Sequence, residues 1–290
     1  EYNLSVSGRK DKFSYYASAG FLDDGGIVSN SDYRRFTARI NAEYQAKKWL
    51  KLTTNVSYSH SDSKSASYDS DYGSSGNVFY ITNNIGPIYP LYVRNADGSQ
   101  YYDVNGIALL DHGNGNLKNG GIPGASRPFI TDANPVLGNK YNTNNSEGNA
   151  LSAQGFMDAT LAKGLTFTVN ASTTLDETRS NYVYNPYYGQ FDTTGGTVSK
   201  YHSRSYDYNM QQLLTYAKTF GEKHNFDILL GHEYYDQRYY ELGASKSKMF
   251  SQENKELSGA VIDGQSASSY QSRYNNEGYI ARAQYNYDER

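Results

Sequence analysis

The sequence contains no cysteine, only six prolines among 290 residues, and no long apolar run. Without cysteine, disulfide bonds and thiolate metal sites are excluded. The longest apolar stretches are a few residues, such as residues 78–81. A helix needs about 20 apolar residues to cross a bilayer. A membrane-spanning helix is therefore excluded as well.

The chain also lacks a large excess of positive or negative charge, because its net charge is only −3. A basic nucleic-acid surface is therefore not expected. The five histidines form no HExxH or HxxxH pair, so a zinc site is not expected. No nucleophile elbow or phosphate-binding loop occurs, and we expect no enzyme activity and no cofactor. A calcium ion held by loop acids such as Asp69 and Asp71 stays open.

Tyrosine is abundant, with 31 residues, and glycine follows with 27. Apolar residues alternate with polar ones in nine segments, which places each apolar set on one face of a β-strand. The segments are residues 2–6, 12–22, 35–45, 50–58, 151–161, 165–175, 206–216, 226–234 and 279–287. The exceptions are Gln212 and His232 on the apolar face and Leu213, Leu229 and Ile280 on the polar face. The pattern predicts an all-β fold of about nine antiparallel strands.

On five of these segments the apolar face begins and ends with an aromatic residue, eight positions apart. The pairs are Phe13/Phe21, Phe36/Tyr44, Tyr208/Tyr216, Phe226/Tyr234 and Tyr279/Tyr287. Eight steps span roughly 26 Å along a strand, and a tilt of about 40° projects that to roughly 20 Å. An outer-membrane barrel has an apolar band about 25 Å tall between two aromatic girdles. We therefore predict that these ten residues form lipid-facing girdles of a transmembrane β-barrel.

The opposite face carries charged and amide side chains. If the apolar face meets lipid, Arg39, Glu43, Lys51 and Arg282 should line a polar lumen. There they would form salt bridges and water contacts, or they would contact a plug or a passing solute. A soluble β-sandwich also alternates, but its strands are typically about 5–6 residues, shorter than these segments.

The connections alternate in length. Short ones fall near residues 8–11, 46–48, 162–164 and 221–223, and long ones at 23–32, 61–150, 176–203 and 241–276. Short periplasmic turns and long extracellular loops are typical of outer-membrane barrels. Residues 61–150 are thus predicted to form one long extracellular loop, and loops of that length are usually functional.

Tyrosines in the long connections are candidates for substrate contact. Residues 88–104 suggest a hairpin around a turn at 95–98, where glycine supplies a positive φ. The candidates are Tyr89, Tyr92, Tyr101 and Tyr102 in this loop and Tyr187 and Tyr188 in the segment 181–191. Their rings could stack on sugars or grip a peptide. The alternative is that they pack the loop itself or a partner lipoprotein.

Residues 3–61 resemble the SusC/RagA family of TonB-dependent transporters, most specifically in GFLDDGGIVSNSDYRRFTARIN at 20–41. DANPVL at 132–137 and DILLGHEYY at 227–235 are also similar to family barrel segments. The resemblance implies outer-membrane import of glycans or peptides with a SusD-like surface lipoprotein, driven by the TonB system through a plug. It also implies a barrel of about 22 strands with a plugged lumen.

About nine strands cannot close a barrel of that size, and open edges in lipid would leave backbone groups unpaired. We therefore expect residues 1–290 to be part of the barrel domain of a longer protein, without its plug and its C-terminal strands. Two alternatives stay open. One is a passive porin or surface adhesin on a similar barrel, and the other is a secreted, soluble all-β binding module.

Overall fold

The computed structural model describes residues 1–65, 77–102, 104, 106–113, 127–130, 134, 140–187, 194–263 and 267–288. These residues include ten β-strands, helix α1 (Val78–Asn84) and a 3₁₀ turn at Leu257–Gly259. The strands are β1 (Tyr2–Lys10), β2 (Phe13–Gly25), β3 (Asp32–Lys47), β4 (Leu50–Lys64), β5 (Thr143–Ala162), β6 (Leu165–Tyr184), β7 (Thr197–Phe220), β8 (His224–Met249), β9 (Ala260–Asp263) and β10 (Ser268–Tyr287). No helix among the described residues has the length and apolar character to cross a membrane.

All ten strands belong to one antiparallel sheet. Strands β1 to β8 follow one another in chain order, β10 pairs with β8, and the short β9 pairs with the outer end of β8. The nine predicted strands are confirmed, and β9 is an addition. Within the described residues β1 and β10 each pair with one neighbour, so the sheet is open. Because lipid leaves no water for unpaired edges, an open sheet of this kind fits an arc of a larger barrel.

The register keeps the apolar residues of neighbouring strands opposite each other. Ala17 pairs with Ile40, Ile40 with Val56, and Val56 with Ala153. Because directly opposed residues share a face, one apolar face runs from β1 to β10. The face carries all ten aromatics of the predicted girdles: Phe13, Phe21, Phe36, Tyr44, Tyr208, Tyr216, Phe226, Tyr234, Tyr279 and Tyr287. We call this the apolar face and the other side of the sheet the polar face.

Polar exceptions on the apolar face bond to one another. His232 Nδ1 lies 2.5 Å from Gln212 Oε1, and His232 Nε2 lies 2.9 Å from Glu277 Oε1. The Tyr279 hydroxyl donates to the same Glu277 oxygen at 3.1 Å. Since a polar group away from water is costly without a partner, this cluster explains how Gln212 and His232 are accommodated there.

The apolar exceptions on the polar face surround a glycine. Gly231 pairs with Leu213 on one side and Ile280 on the other. A Cβ at Gly231 would lie 2.9 Å from Leu213 Cδ2 and 3.5 Å from Ile280 Cβ. Because Gly231 has no side chain, Leu213 can occupy the space beside it.

The strands extend further than the alternation predicted, and they do so at the long-connection end. Strand β8 runs to Met249 although its apolar pattern ends at Tyr234, and β4 and β5 extend to Lys64 and from Thr143. The long connections are therefore 26–31, 65–142, 185–196 and 250–267. The expected bounds 23–32, 61–150, 176–203 and 241–276 were too wide. Beyond the girdle both faces carry many polar residues, so alternation fades while backbone pairing continues.

The short turns all lie at the opposite edge, at residues 11–12, 48–49, 163–164 and 221–223, which confirms the predicted alternation of turn lengths. Gly164 has φ +82°, a left-handed conformation that glycine adopts without steric cost. Its carbonyl accepts a 2.8 Å bond from the Ala217 N–H. Gly164 therefore connects the β5–β6 turn to the end of β7.

Substitution at Ile40 tests the face assignment. Ile40 is 55% exposed on the apolar face, so Ile40→Arg in the intact receptor should destabilise membrane assembly by about 2–4 kcal/mol if that face meets lipid. Asn41→Arg, on the polar face, is the matched control and should assemble normally. Heat-modifiable migration of outer-membrane fractions measures both. Equal assembly of the two variants would contradict the assignment.

Substitution at Gly164 tests the turn. Gly164→Ala should lower the free energy of unfolding of the intact barrel by about 1–3 kcal/mol, because its Cβ would lie 2.3 Å from the Ala217 carbonyl oxygen. Gly155→Ala is the control, since nothing lies within 4 Å of a Cβ there, and it should change stability by less than about 0.5 kcal/mol. Urea unfolding in detergent micelles gives both values.

Candidate functional site

Side chains on the polar face link neighbouring strands. The links are Lys51–Glu43 at 3.0 Å, Arg282–Asp227 at 3.0 Å, Thr168–Asp158 at 2.8 Å, Asn209–Glu233 at 2.6 Å and Asn170–Gln211 at 3.3 Å. The predicted lumen residues Arg39, Glu43, Lys51 and Arg282 all lie on this face. Exposed ion pairs contribute only about 0–1 kcal/mol to stability. These pairs therefore stabilise the sheet little, and their main effect is to give the polar face a hydrated surface of mixed charge.

The long connection 65–142 contains folded structure. Its predicted hairpin is confirmed: Arg94 pairs with Gln100, and Gly98 at the turn has φ +87°. The Asp97 carboxylate accepts bonds from the Ser99 N–H at 2.9 Å and the Ser99 hydroxyl at 2.6 Å. These donors favour the charged carboxylate, so the pKa of Asp97 lies below its usual value.

A third segment joins the hairpin. The Val93 N–H donates to the Leu109 carbonyl at 2.9 Å, and the Leu109 N–H donates to the Tyr101 carbonyl at 3.3 Å. Val93 is fully buried, and Leu109 and Leu110 are buried with it. The loop therefore has a small apolar core of its own.

Arg127 is a buried residue of the same long connection, and no sequence pattern indicated it. The side chain is 4% exposed, and its Nη2 donates to the carbonyls of His112 at 2.9 Å and Ile130 at 2.8 Å. Burial lowers the pKa of Arg127, and the Asp111 carboxylate opposes that shift. A Cβ at Gly113 would lie 2.2 Å from Arg127 Nε, so glycine leaves room for the guanidinium. A single arginine in a loop has no periodicity that could have revealed this role.

The candidate tyrosines differ in their surroundings. Tyr89 packs edge-on against Phe129 at 6.1 Å between ring centroids, and the Arg127 guanidinium lies 5.9 Å from its ring. Tyr92 pairs with Leu110, and both Tyr92 and Tyr101 are half-buried. In contrast, Tyr102 and Tyr187 are each 54% exposed. Tyr188 lies outside the described residues.

Within the described ranges no group of three or more His, Cys, Asp or Glu side chains could hold a metal ion. The loop acids Asp69 and Asp71, named above for calcium, lie outside those ranges.

Comparison with known proteins identifies the barrel. No protein-family model matches the chain. The TonB-dependent receptor SusC of Bacteroides thetaiotaomicron is 26% identical over 295 residues, covering 98% of this chain. TonB-dependent receptor P39 of Formosa agariphila is 24% identical over 235 residues, covering 79%. A structure of the RagAB peptide importer superposes with a TM-score of 0.71 at 25% identity, covering 99% of this chain.

The chain resembles TonB-dependent receptors of the SusC/RagA type in both sequence and fold. It spans 27% of the length of the SusC relative, 19% of the P39 relative and 30% of the RagAB chain. The sheet is an antiparallel segment of a TonB-dependent receptor barrel, and the bacterial outer membrane is its location.

Substitution at Arg127 tests the loop core. Arg127→Ala leaves two carbonyls without their donor, and a buried unsatisfied group costs about 1–3 kcal/mol. Cleavage between residues 91 and 113 by a non-specific protease should accelerate by about tenfold in the intact receptor. Arg94→Ala is the control, because Arg94 donates to Gly98 at the exposed turn and its loss should change the rate little. Equal cleavage of both variants would contradict the role of Arg127.

Proposed function

We propose that the intact protein imports an oligosaccharide or a peptide across the outer membrane, with energy supplied through TonB. The observation that carries the proposal is the two-faced sheet. One continuous apolar face fits lipid, and the opposite face presents paired charges and amides that fit a hydrated lumen. A solute would be captured at the long-connection edge and would then pass along the polar face.

The partner in this proposal is a SusD-like surface lipoprotein. One superposed structure is that of the RagAB peptide importer, and one relative is SusC. Both support a receptor that acts with such a partner. The folded unit within 65–142 lies at the edge where a surface partner and a solute would arrive. Its exposed ring, Tyr102, and the exposed Tyr187 in the next long connection are the proposed substrate contacts.

Growth of a strain lacking the intact gene tests the import. Growth should fail on one oligosaccharide or peptide source, persist on simple nutrients, and return with the wild-type gene. Inactivating TonB should reproduce the defect, because active import needs the energy coupling. Growth on the affected source without TonB would support a passive porin instead, and unchanged growth on every source would exclude transport.

Tyr102 offers a residue-level test. If its ring stacks on the solute, Tyr102→Ala should raise the half-saturating solute concentration roughly two- to tenfold, as expected for losing about 0.5–1.5 kcal/mol of aromatic contact. Tyr102→Phe keeps the ring and should retain wild-type uptake. Radiolabelled uptake into cells with matched receptor levels measures both, and identical uptake by the alanine variant would remove Tyr102 from the proposed site.

A further inference from the structure

The apolar face changes character just beyond its outer girdle. On β7 and β8, positions beyond Tyr208 and Tyr234 in the direction of the long connections carry arginine, tyrosine and aspartate in place of aliphatic residues. Tyr206 pairs with Arg238, and Arg238 pairs with Arg273 on β10. Arg204, one pleat further out, pairs with Tyr240. Tyrosines and arginines therefore interleave on three adjacent strands.

These side chains border a groove of about 580 Å³. The residues that line it include Arg204, Tyr206, Arg238, Tyr240, Gln271 and Arg273. Arg204 is exposed, and the side chains of Arg238 and Arg273 are 57% and 53% exposed. The groove thus presents three guanidinium groups on the side of the sheet that carries the girdles.

Two of the three arginines are positioned by a buried carboxylate. Asp236 has 0% exposure and accepts bonds from Arg273 Nε at 2.6 Å and Nη2 at 3.3 Å, with Arg238 Nη2 also 3.3 Å away. A guanidinium has five N–H donors, so both arginines keep donors directed to the groove. One carboxylate between two arginines leaves a net positive charge.

The remaining charges nearby do not cancel this excess. Glu177, the register partner of Arg204, is already bound by Arg179 at 3.1 Å and lies 2.7 Å from His202 Nε2. Arg204 itself has no ion-pair partner in the part of the chain that the structure describes. The groove therefore favours an anion with several acceptor oxygens.

The height of the groove matches lipid headgroups. Arg204 and Arg238 each lie four residues beyond a girdle tyrosine, Tyr208 and Tyr234 respectively. Four residues span about 13 Å along a strand, and a tilt of about 40° reduces this to about 10 Å along the membrane normal. The headgroup layer occupies the first 5–8 Å or so outside the hydrocarbon core, within reach of a flexible arginine side chain.

We propose that this groove binds the phosphate groups of a phosphorylated lipid in the outer leaflet, while the acyl chains lie against the apolar face below it. Arginine is suited to this because its planar fork bonds phosphate oxygens in pairs. A second copy of the chain docked on the same groove would bring arginine against arginine, which disfavours that occupant. The inference depends on the membrane location and is independent of the imported solute.

The experiment compares lipid retention by the intact receptor purified from membranes in mild detergent. The variant Arg204→Gln/Arg238→Gln removes two cations and keeps the Arg273–Asp236 pair. Native mass spectrometry with added lipid A should show at least about a tenfold loss of bound phosphorylated lipid. The control Arg9→Gln/Arg35→Gln removes the same charge from the polar face and should retain lipid as the wild type does.

Two further measurements separate the alternatives. Chemically dephosphorylated lipid A should bind the wild type as weakly as the double variant binds the phosphorylated form. Inorganic phosphate at millimolar concentration should not displace the lipid. Unaltered retention by the folded double variant, with folding checked by heat-modifiable migration, would overturn the proposal. So would equal binding of dephosphorylated lipid, displacement by free phosphate, or a mass of two receptor copies in place of a lipid adduct.

Discussion

Strand register is the constraint on which the rest of this structure depends. Side chains alternate with a period of two, so a slip of one residue would move every apolar side chain of a strand to the other face. Here the same face stays apolar across eight successive pairings from β1 to β10. The register shifts at Gln45/Lys47 and Thr160/Ala162 lie beside short turns. Two chemically different faces follow directly, because each strand contributes its apolar residues to the same side.

Polar groups on the apolar face illustrate the same constraint at single residues. Gln212, His232 and Glu277 come from three strands, yet the register places them within hydrogen-bonding distance of one another. Asp236 is likewise surrounded by Arg238 and Arg273. Because these acceptors have donors on the same or an adjacent strand, charged groups are tolerated near the girdle. Arginines with unused N–H donors can bind a further acceptor.

The sequence predicted each strand where one of its faces is apolar and the other polar. It did not predict the strand ends where both faces are polar. Between the girdle residues one face is apolar and the other polar, so β8 was identified from residue 226 to Tyr234. From there to Met249 both faces are largely polar, and backbone pairing with β7, β10 and β9 continues the strand. The turn at Gly98 was also predictable, because a turn that needs a positive φ favours glycine at that position in the sequence. The role of Arg127 was not, since its acceptors at His112 and Ile130 are brought to it by the fold of the loop.

The loop tyrosines show why abundance of a residue type does not define a site. Tyr89 and Tyr102 belong to the same aromatic-rich stretch, and composition treats them alike. The fold separates them, because Tyr89 meets Phe129 from 40 positions further along the chain, whereas Tyr102 lies at the end of a short pairing with Ala108 and stays exposed. A ring that packs the loop core supports the binding surface, and a ring left outside can contact a solute. Solute selectivity in such a loop therefore depends on non-local packing, which decides which aromatic rings remain available.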